Sequence, residues 1–205
     1  MRHNDFFWRR LHSLLGIIPI GAFLIQHLLI NYFAVYGKES FNKAAGFVEG
    51  LPFLIVLEFV FIYLPILYHA ILGVYIAFTA RNNPSRYGYF RNWMFYLQRI
   101  TGFIALAFIV WHVWQTRIQV ALGNAQINYA LMADILSNPL YFWLYAIGVV
   151  SITFHFANGL WSFLVSWGIT QSPKSQRAGT YISIIVFLAV TYIGIRALIE
   201  FAYGA

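Results

Sequence analysis

The amino-acid sequence predicts an all-α integral membrane protein, a five-transmembrane-helix bundle with its N-terminus in the cytoplasm and its C-terminus outside. Of its 205 residues, 61% are hydrophobic and only 9% are charged, whereas soluble domains carry roughly 25% charged residues. Several apolar segments are longer than the roughly 20 residues that cross a bilayer as a helix. None alternates polar and apolar residues, so a membrane barrel is not predicted. An open sheet is excluded because its backbone would lack hydrogen-bond partners in lipid.

Five apolar spans follow one another in a single predicted membrane domain over residues 1–205, at about 13–34, 52–79, 100–121, 139–168 and 180–203. Span one follows Arg9 and Arg10 without a small-residue cleavage site, so we expect a complete span and not a removable signal peptide. Pro19 and Pro65 lie inside spans one and two and should kink them locally. The short turns after spans two and four contain the sequences "NNPS" and "QSPKS", which are typical of turns.

The loops predict the orientation of the bundle, because Lys and Arg accumulate in cytoplasmic loops. On the side of the N-terminus, Asp5 is the one acidic residue among the basic residues Arg2, Arg9, Arg10, Arg81, Arg86, Arg91, Arg99, Lys174 and Arg177. On the opposite side, the basic residues are balanced by acids: Lys38 and Lys43 by Glu39 and Glu49, and Arg117 by Asp134. The N-terminal side is therefore predicted to be cytoplasmic.

Four histidines lie in the spans, one in each of the first four, at His27, His69, His112 and His155, and successive ones are 42 or 43 residues apart. A helix rises about 1.5 Å per residue, so position along a span measures depth. His27 and His112 lie late on spans that run outwards, and His69 and His155 lie late on spans that run inwards. We therefore predict an outer pair, His27 with His112, and an inner pair, His69 with His155.

Two histidines that face each other across a bundle are suitable axial ligands for a haem iron, and coordination removes the need to solvate the ring nitrogen in lipid. Gly73 and Gly159 follow the inner-pair histidines by four residues and share their helix face, which would let a flat ligand approach. Zinc is disfavoured because too few acids accompany the histidines. The absence of cysteine excludes iron–sulfur clusters held by this chain, disulfides and covalent c-type haem. The alternative is four separate histidines that form hydrogen bonds between helices.

Glu58 is the acidic residue of span two, six residues past its outer edge and eleven before His69, nearly on the same helix face. An ionisable side chain at that depth is a functional candidate, and we predict a quinone site there, next to the outer haem. The alternative is a protonated carboxylic acid bonded to a neighbouring helix. For the basic residues near the inner pair, the alternatives are contacts with haem propionates or a role in topology alone: Arg9, Arg10, Arg81 and Arg99.

The sequence resembles the single-chain, dihaem cytochrome b membrane anchors of Gram-positive succinate:menaquinone oxidoreductases. The resemblance lies in four stretches in the same order, followed by "RAGTYISIIVF", and it covers nearly the whole chain: "FFWRRLHSLLGIIPIGAFLIQHL", "LPILYHAILGVYIAFTA", "YFRNWMFYLQRITGFIALAFIVWHVWQTRI" and "FHFANGLWSFLVSWGIT".

The resemblance implies a membrane anchor without catalysis of its own, which holds a flavoprotein subunit and an iron–sulfur subunit on the cytoplasmic face of the cell membrane. It implies two haems b, the inner one ligated by His69 and His155 and the outer one by His27 and His112. It implies that electrons pass from the iron–sulfur clusters through the inner haem to the outer haem and then to menaquinone. No motif of the family fixes the quinone site, so the prediction that Glu58 belongs to it is based only on the depth of Glu58 and on its helix face.

Three alternatives remain open at this point. One is operation in the direction of fumarate reduction, which would use the same electron path. Another is the cytochrome b anchor of a hydrogenase, a formate dehydrogenase or another quinone-linked dehydrogenase. The catalytic partners of hydrogenase and formate dehydrogenase anchors lie on the outer side of the membrane and would favour charged outer loops, whereas the outer loops of this chain have a net charge near zero. The third is a non-redox transporter or lipid-binding bundle with structural histidines.

Overall fold

The computed structural model describes residues 3–204, and every regular element within them is a helix. Five helical segments are long and apolar enough to cross a membrane, so the predicted five-helix membrane fold is confirmed. We keep the names span one to span five for these segments: Asp5–Tyr36, Leu54–Thr79, Phe90–Ala121, Pro139–Ser166 and Pro173–Tyr203.

The first three spans are built from shorter pieces. Span one consists of α-helices His3–Ile17 and Pro19–Tyr32 followed by the 3₁₀ turn Phe33–Tyr36. The break at Ile18 precedes Pro19, which has no N–H to continue the helix. Spans two and three each contain one π-helical segment between two α-helical pieces. In span two the π-helical segment Phe59–Tyr63 lies between Leu54–Glu58 and Leu64–Thr79. In span three the π-helical segment Trp114–Ile118 lies between Phe90–Val113 and Gln119–Ala121.

Spans three and five begin earlier than the apolar pattern predicts, at Phe90 and Pro173 instead of about residues 100 and 180. Their first turns carry Arg, Lys, Gln and aromatic side chains, which suit the membrane–water interface but lower the hydropathy. The start of span five is fixed by a capping box between Ser172 and Ser175, which satisfies backbone N–H groups of the first turn.

Spans four and five form the centre of the fold. In their most apolar windows, 39% and 28% of residues are buried, compared with 11%, 6% and 6% in spans one, two and three. The buried core includes Tyr145 and Val149 of span four with Ala197, Leu198 and Phe201 of span five. Much of the surface of spans one to three is therefore left for lipid or for other partners.

Two short helices, Lys38–Glu49 and Tyr129–Ser137, cover the end of the bundle opposite the basic loops, which we call the outer end. Phe41 packs edge-on against Phe201, with 4.9 Å between ring centroids. The Tyr129 backbone N–H donates to Asn42 Oδ1 at 2.8 Å, and the Tyr129 hydroxyl donates to the Glu200 carbonyl at 2.7 Å. These contacts attach both short helices to span five.

Candidate functional site

The structure brings the four span histidines together in the two predicted pairs. The ring centroids of His27 and His112 are 5.8 Å apart, with the rings inclined at 72°. Those of His69 and His155 are 6.1 Å apart, with the rings inclined at 85°. All four histidines are neither fully buried nor fully exposed. The outer pair therefore joins span one to span three, and the inner pair joins span two to span four.

The spacing of the pairs fits one metal ion between two rings. A metal–imidazole bond is about 2 Å long, so two rings on opposite sides of one ion have centroids roughly 6 Å apart. In the part of the chain that the structure describes, no group of three or more His, Cys, Asp or Glu side chains could hold a metal ion. Two ligands per site suit haem, whose porphyrin supplies the other four.

Backbone carbonyls orient both rings of the inner pair. His69 Nδ1 lies 3.0 Å from the His12 carbonyl oxygen, and His155 Nδ1 lies 2.9 Å from the Gln98 carbonyl oxygen. A carbonyl only accepts hydrogen bonds, so Nδ1 carries the proton in both histidines. This leaves the lone pair of Nε2 available to a metal, the arrangement usual for metal-ligating histidines.

Glycines of the neighbouring spans lie directly against the same two rings. A Cβ atom added to Gly16 would lie 2.6 Å from His69 Cε1, and one added to Gly102 would lie 2.9 Å from His155 Cε1. In both cases the glycine follows by four residues the carbonyl that orients the ring. Spans one and two therefore hold His69 in the same way as spans three and four hold His155.

The glycines singled out from the sequence have other neighbours. A Cβ atom on Gly73 would lie 3.2 Å from His12 Cε1, and one on Gly159 would lie 3.4 Å from Gln98 Nε2. The role of Gly16 and Gly102 is not among the sequence-based predictions, although the sequence contains a signal for it. A His or Gln followed by glycine four residues later occurs at all four places, as "HSLLG", "HAILG", "QRITG" and "HFANG".

The outer pair is oriented mainly by side chains. His112 Nδ1 lies 3.2 Å from the hydroxyl of Tyr145, which donates to Gln115 Oε1 at 3.1 Å. Since that hydroxyl hydrogen is used, its oxygen accepts from His112 Nδ1–H, and Nε2 again keeps its lone pair. The Asn31 amide donates to the His27 carbonyl at 2.8 Å and lies 3.4 Å from His27 Nε2. The two pairs therefore have different polar surroundings.

Glu58 forms an ion pair with Arg117 of span three. Its Oε2 lies 2.9 Å from Arg117 Nη2 and 3.2 Å from Nε, while Arg117 Nη1 lies 3.0 Å from Glu49 Oε2. Arg117 is thus paired with Glu58 and Glu49. The charge balance of the outer loops predicts Asp134 as its counterpart instead. The Glu58 and Arg117 side chains are 18% and 23% exposed. We call Glu49, Glu58 and Arg117 the outer charged cluster.

The outer charged cluster lies next to both π-helical segments. One segment begins directly after Glu58, and the other contains Arg117. Such segments occur often at functional sites. Arg117 follows His112 by five residues, which places its backbone about 7–8 Å further towards the outer end.

On the basic side, two arginines have buried N–H groups without an acceptor among the described residues. These groups are Arg10 Nε and Arg99 Nη2. Arg10 also donates from Nη2 to the Ser166 carbonyl at 3.0 Å, and Arg99 donates to Asn82. Arg9 lines a groove beside Tyr68, and Arg81 is exposed. Arg10 and Arg99 therefore have donors to spare for a carboxylate of a bound group.

Comparison with known proteins gives two matches. The family described as succinate dehydrogenase/fumarate reductase transmembrane subunit matches residues 80–195. The succinate dehydrogenase cytochrome b558 subunit of Bacillus subtilis (strain 168) is 55% identical over 199 residues, which are 97% of this chain and 98% of that protein.

Proposed function

Because the chain belongs to the family of succinate dehydrogenase/fumarate reductase transmembrane subunits, we propose that it binds two haems b and connects a succinate dehydrogenase to the quinone pool. It is a multi-pass membrane subunit and not a catalyst on its own. His69 and His155 would hold the inner haem, and His27 and His112 the outer one. The observation that carries this proposal is the meeting of the four histidines in two pairs, whose ring centroids are 5.8 and 6.1 Å apart.

The chain's own residues prepare both sites for haem. The His12 and Gln98 carbonyls and the Tyr145 hydroxyl fix the tautomers of His69, His155 and His112. The spare donors of Arg10 and Arg99 would bind propionate carboxylates on the basic side. When bound, haem supplies reversible one-electron transfer, and two haems at two depths provide a path through the membrane.

The proposed partners lie at the two ends of this path. The flavoprotein and iron–sulfur subunits would dock on the cytoplasmic side, where basic loops favour an acidic partner surface. Menaquinone would bind near the outer pair, where Glu58 is the candidate to exchange protons with it. The support for Glu58 is its ion pair with Arg117 beyond His112. The relationship to a succinate dehydrogenase subunit favours succinate oxidation over fumarate reduction and over a hydrogenase anchor.

Optical redox titration of the purified complex tests the haem proposal. Two haem components of unequal potential are expected, because the two pairs have different polar surroundings. His69→Ala and His155→Ala should each remove one component, and His27→Ala and His112→Ala should each remove the other. Lys43→Gln is the control, since Lys43 is exposed and pairs with Glu39 at the outer end. Both components should remain in this variant.

A complex without haem absorbance would contradict the proposal. Loss of the same component from His27→Ala and His69→Ala would contradict the assignment of the pairs.

A further inference from the structure

A cavity of about 360 Å³ lies at the basic end of the bundle, where spans three, four and five meet. Arg91, Trp161 and Arg177 are among its lining residues, one from each span. The four paired histidines belong to spans one to four, and none of them lines this cavity. The cavity is therefore a separate feature that the proposed haem and quinone sites leave unexplained.

Arg91 is held rigidly at this cavity. Its guanidinium carbon lies 3.6 Å from the centroid of the Trp161 ring, a stacking geometry that Arg adopts readily. Arg91 also donates a hydrogen bond to Thr180 Oγ1. The Trp161 ring is itself fixed, because its Nε1 donates to the Gln176 carbonyl at 3.1 Å. The remaining N–H groups of Arg91 are thus presented in one orientation.

The positive charge of the cavity has no carboxylate to balance it. The sequence contains no Asp or Glu from residue 59 to residue 133 or from residue 135 to residue 199. Neither Arg91 nor Arg177 takes part in an ion pair within residues 5–204. Two arginines that line the same cavity suit a phosphate, which accepts paired hydrogen bonds from arginine.

An exposed apolar stripe continues from the cavity along span five. It consists of Tyr181, Ile185, Leu188 and Tyr192, which are 61%, 65%, 59% and 58% exposed. Their spacing places them on one face of the helix. The stripe is about 16 Å long at 1.5 Å per residue, close to half of the roughly 30 Å hydrocarbon core. An acyl chain attached to a phosphate in the cavity would therefore have a surface to lie on.

We propose that this cavity binds the phosphate of an anionic phospholipid in the leaflet on the basic side, with Arg91 and Arg177 as the phosphate ligands. The uncompensated charge favours a headgroup with net negative charge, and the apolar stripe favours a lipid over a free anion. Basic pockets between membrane helices bind anionic headgroups in this way. The proposal is independent of haem binding.

Native mass spectrometry of the detergent-purified complex tests this site. Dioleoylphosphatidylglycerol and dioleoylphosphatidylcholine are added separately to the wild-type complex and to the double variant Arg91→Gln, Arg177→Gln. We expect the wild type to bind phosphatidylglycerol about thirtyfold more tightly than phosphatidylcholine, and the double variant to lose about that factor, since each basic residue near a membrane surface contributes roughly fivefold. Millimolar inorganic phosphate should not displace the lipid.

Arg86→Gln is the matched control, because Arg86 carries the same charge in an exposed loop on the same side. Its phosphatidylglycerol binding should stay within twofold of the wild type. Arg91→Lys keeps the charge but loses the planar stack, so we expect a smaller loss of phosphatidylglycerol binding than in the double variant. If circular dichroism shows that the double variant does not fold, Arg91→Lys replaces it in the test.

Equal loss in Arg86→Gln, equal binding of both lipids, or displacement by inorganic phosphate would each overturn the proposal. Unchanged lipid binding with loss of the catalytic subunits would instead assign the cavity to an acidic protein segment.

Discussion

The inner-pair histidines each lie against a glycine that has no room for a side chain. The closest approach is at Gly16, where an added Cβ atom would lie 2.6 Å from His69 Cε1. The ring cannot retreat freely, because its Nδ1 is bonded to the His12 carbonyl. A side chain at this position therefore disturbs the geometry of the histidine and not only the packing of the helices.

Gly16→Ala is expected to displace His69 and to lower the occupancy of the inner haem while leaving the outer haem in place. Optical redox titration of the purified complex measures both. Gly46→Ala is the matched control, because no atom lies within 4 Å of an added Cβ and alanine favours an exposed helix by about 1 kcal/mol. An unchanged inner component in Gly16→Ala would refute the prediction.

Tyr145→Phe removes the hydroxyl that accepts from His112 Nδ1. Loss of such an outer-shell hydrogen bond typically lowers metal affinity about 10–100-fold. We expect the outer haem to be lost more readily on dilution in detergent, with the inner haem retained. Tyr141→Phe is the control, since Tyr141 contacts Trp111 through its ring. Equal haem retention in the two variants would show that the Tyr145 hydroxyl does not support the site.

The outer charged cluster connects three helical elements at their outer ends. Glu49 ends one of the short outer helices, Glu58 ends the first α-helical piece of span two, and Arg117 lies in the π-helical segment of span three. A π-helical segment shifts the register of the side chains that follow it. The cluster is thus a place where a small rearrangement could move a carboxylate relative to the outer histidine pair.

Glu58→Gln is expected to lower succinate:menaquinone reductase activity at least about tenfold, because a positioned acid or base usually contributes 10²–10⁴-fold. Both haem components should remain, as should succinate oxidation by a dye that takes electrons directly from the catalytic subunits. Glu49→Gln is the control, because Glu49 pairs with the same Arg117 but is more exposed. Equal effects of the two substitutions would indicate that Arg117, and not Glu58, serves the quinone site.

The membrane-spanning helices were predictable from the sequence, because a helix that crosses the bilayer must be long and apolar. Five apolar runs are each long enough to cross the bilayer as a helix. The depth of the one histidine in each of four spans predicts which of these helices meet. The early start of span three at Phe90 was not predictable from hydropathy, because its first turns contain arginine and aromatic residues. The partner of Arg117 was not predictable either, because pairing across helices depends on the rotation of each helix about its axis.

The whole molecule is electrically asymmetric, since the ion pairs among the described residues all lie at the outer end. Lys43 and Arg117 at the outer end have carboxylate partners, whereas Arg81 and Arg86 lie exposed at the basic end. Surface charge of one sign attracts partners of the other. The asymmetry therefore favours docking of the catalytic subunits at the basic end.

Arg81→Glu combined with Arg86→Glu is expected to reduce the amount of flavoprotein and iron–sulfur subunits that copurify with the chain. The difference from the wild type should shrink as the salt concentration rises, because salt screens exposed charges. Lys38→Glu combined with Lys43→Glu makes the same change of charge at the outer end and should leave copurification unchanged. Quantitative mass spectrometry of the purified membranes measures both. Loss of the partners from the outer-end variant alone would place the docking face on the opposite side.

Each proposed iron site takes one ligand from the first two spans and one from the next two. The nascent chain therefore completes the outer site only when its third helix has entered the bilayer and the inner site only when its fourth has entered. Each cofactor then acts as a cross-link between an earlier and a later part of the polypeptide. Because spans one to three bury little of their surface against protein, much of the cohesion of the mature bundle would come from this cross-link. Maturation of the subunit would then be timed by the supply of porphyrin rather than by translation.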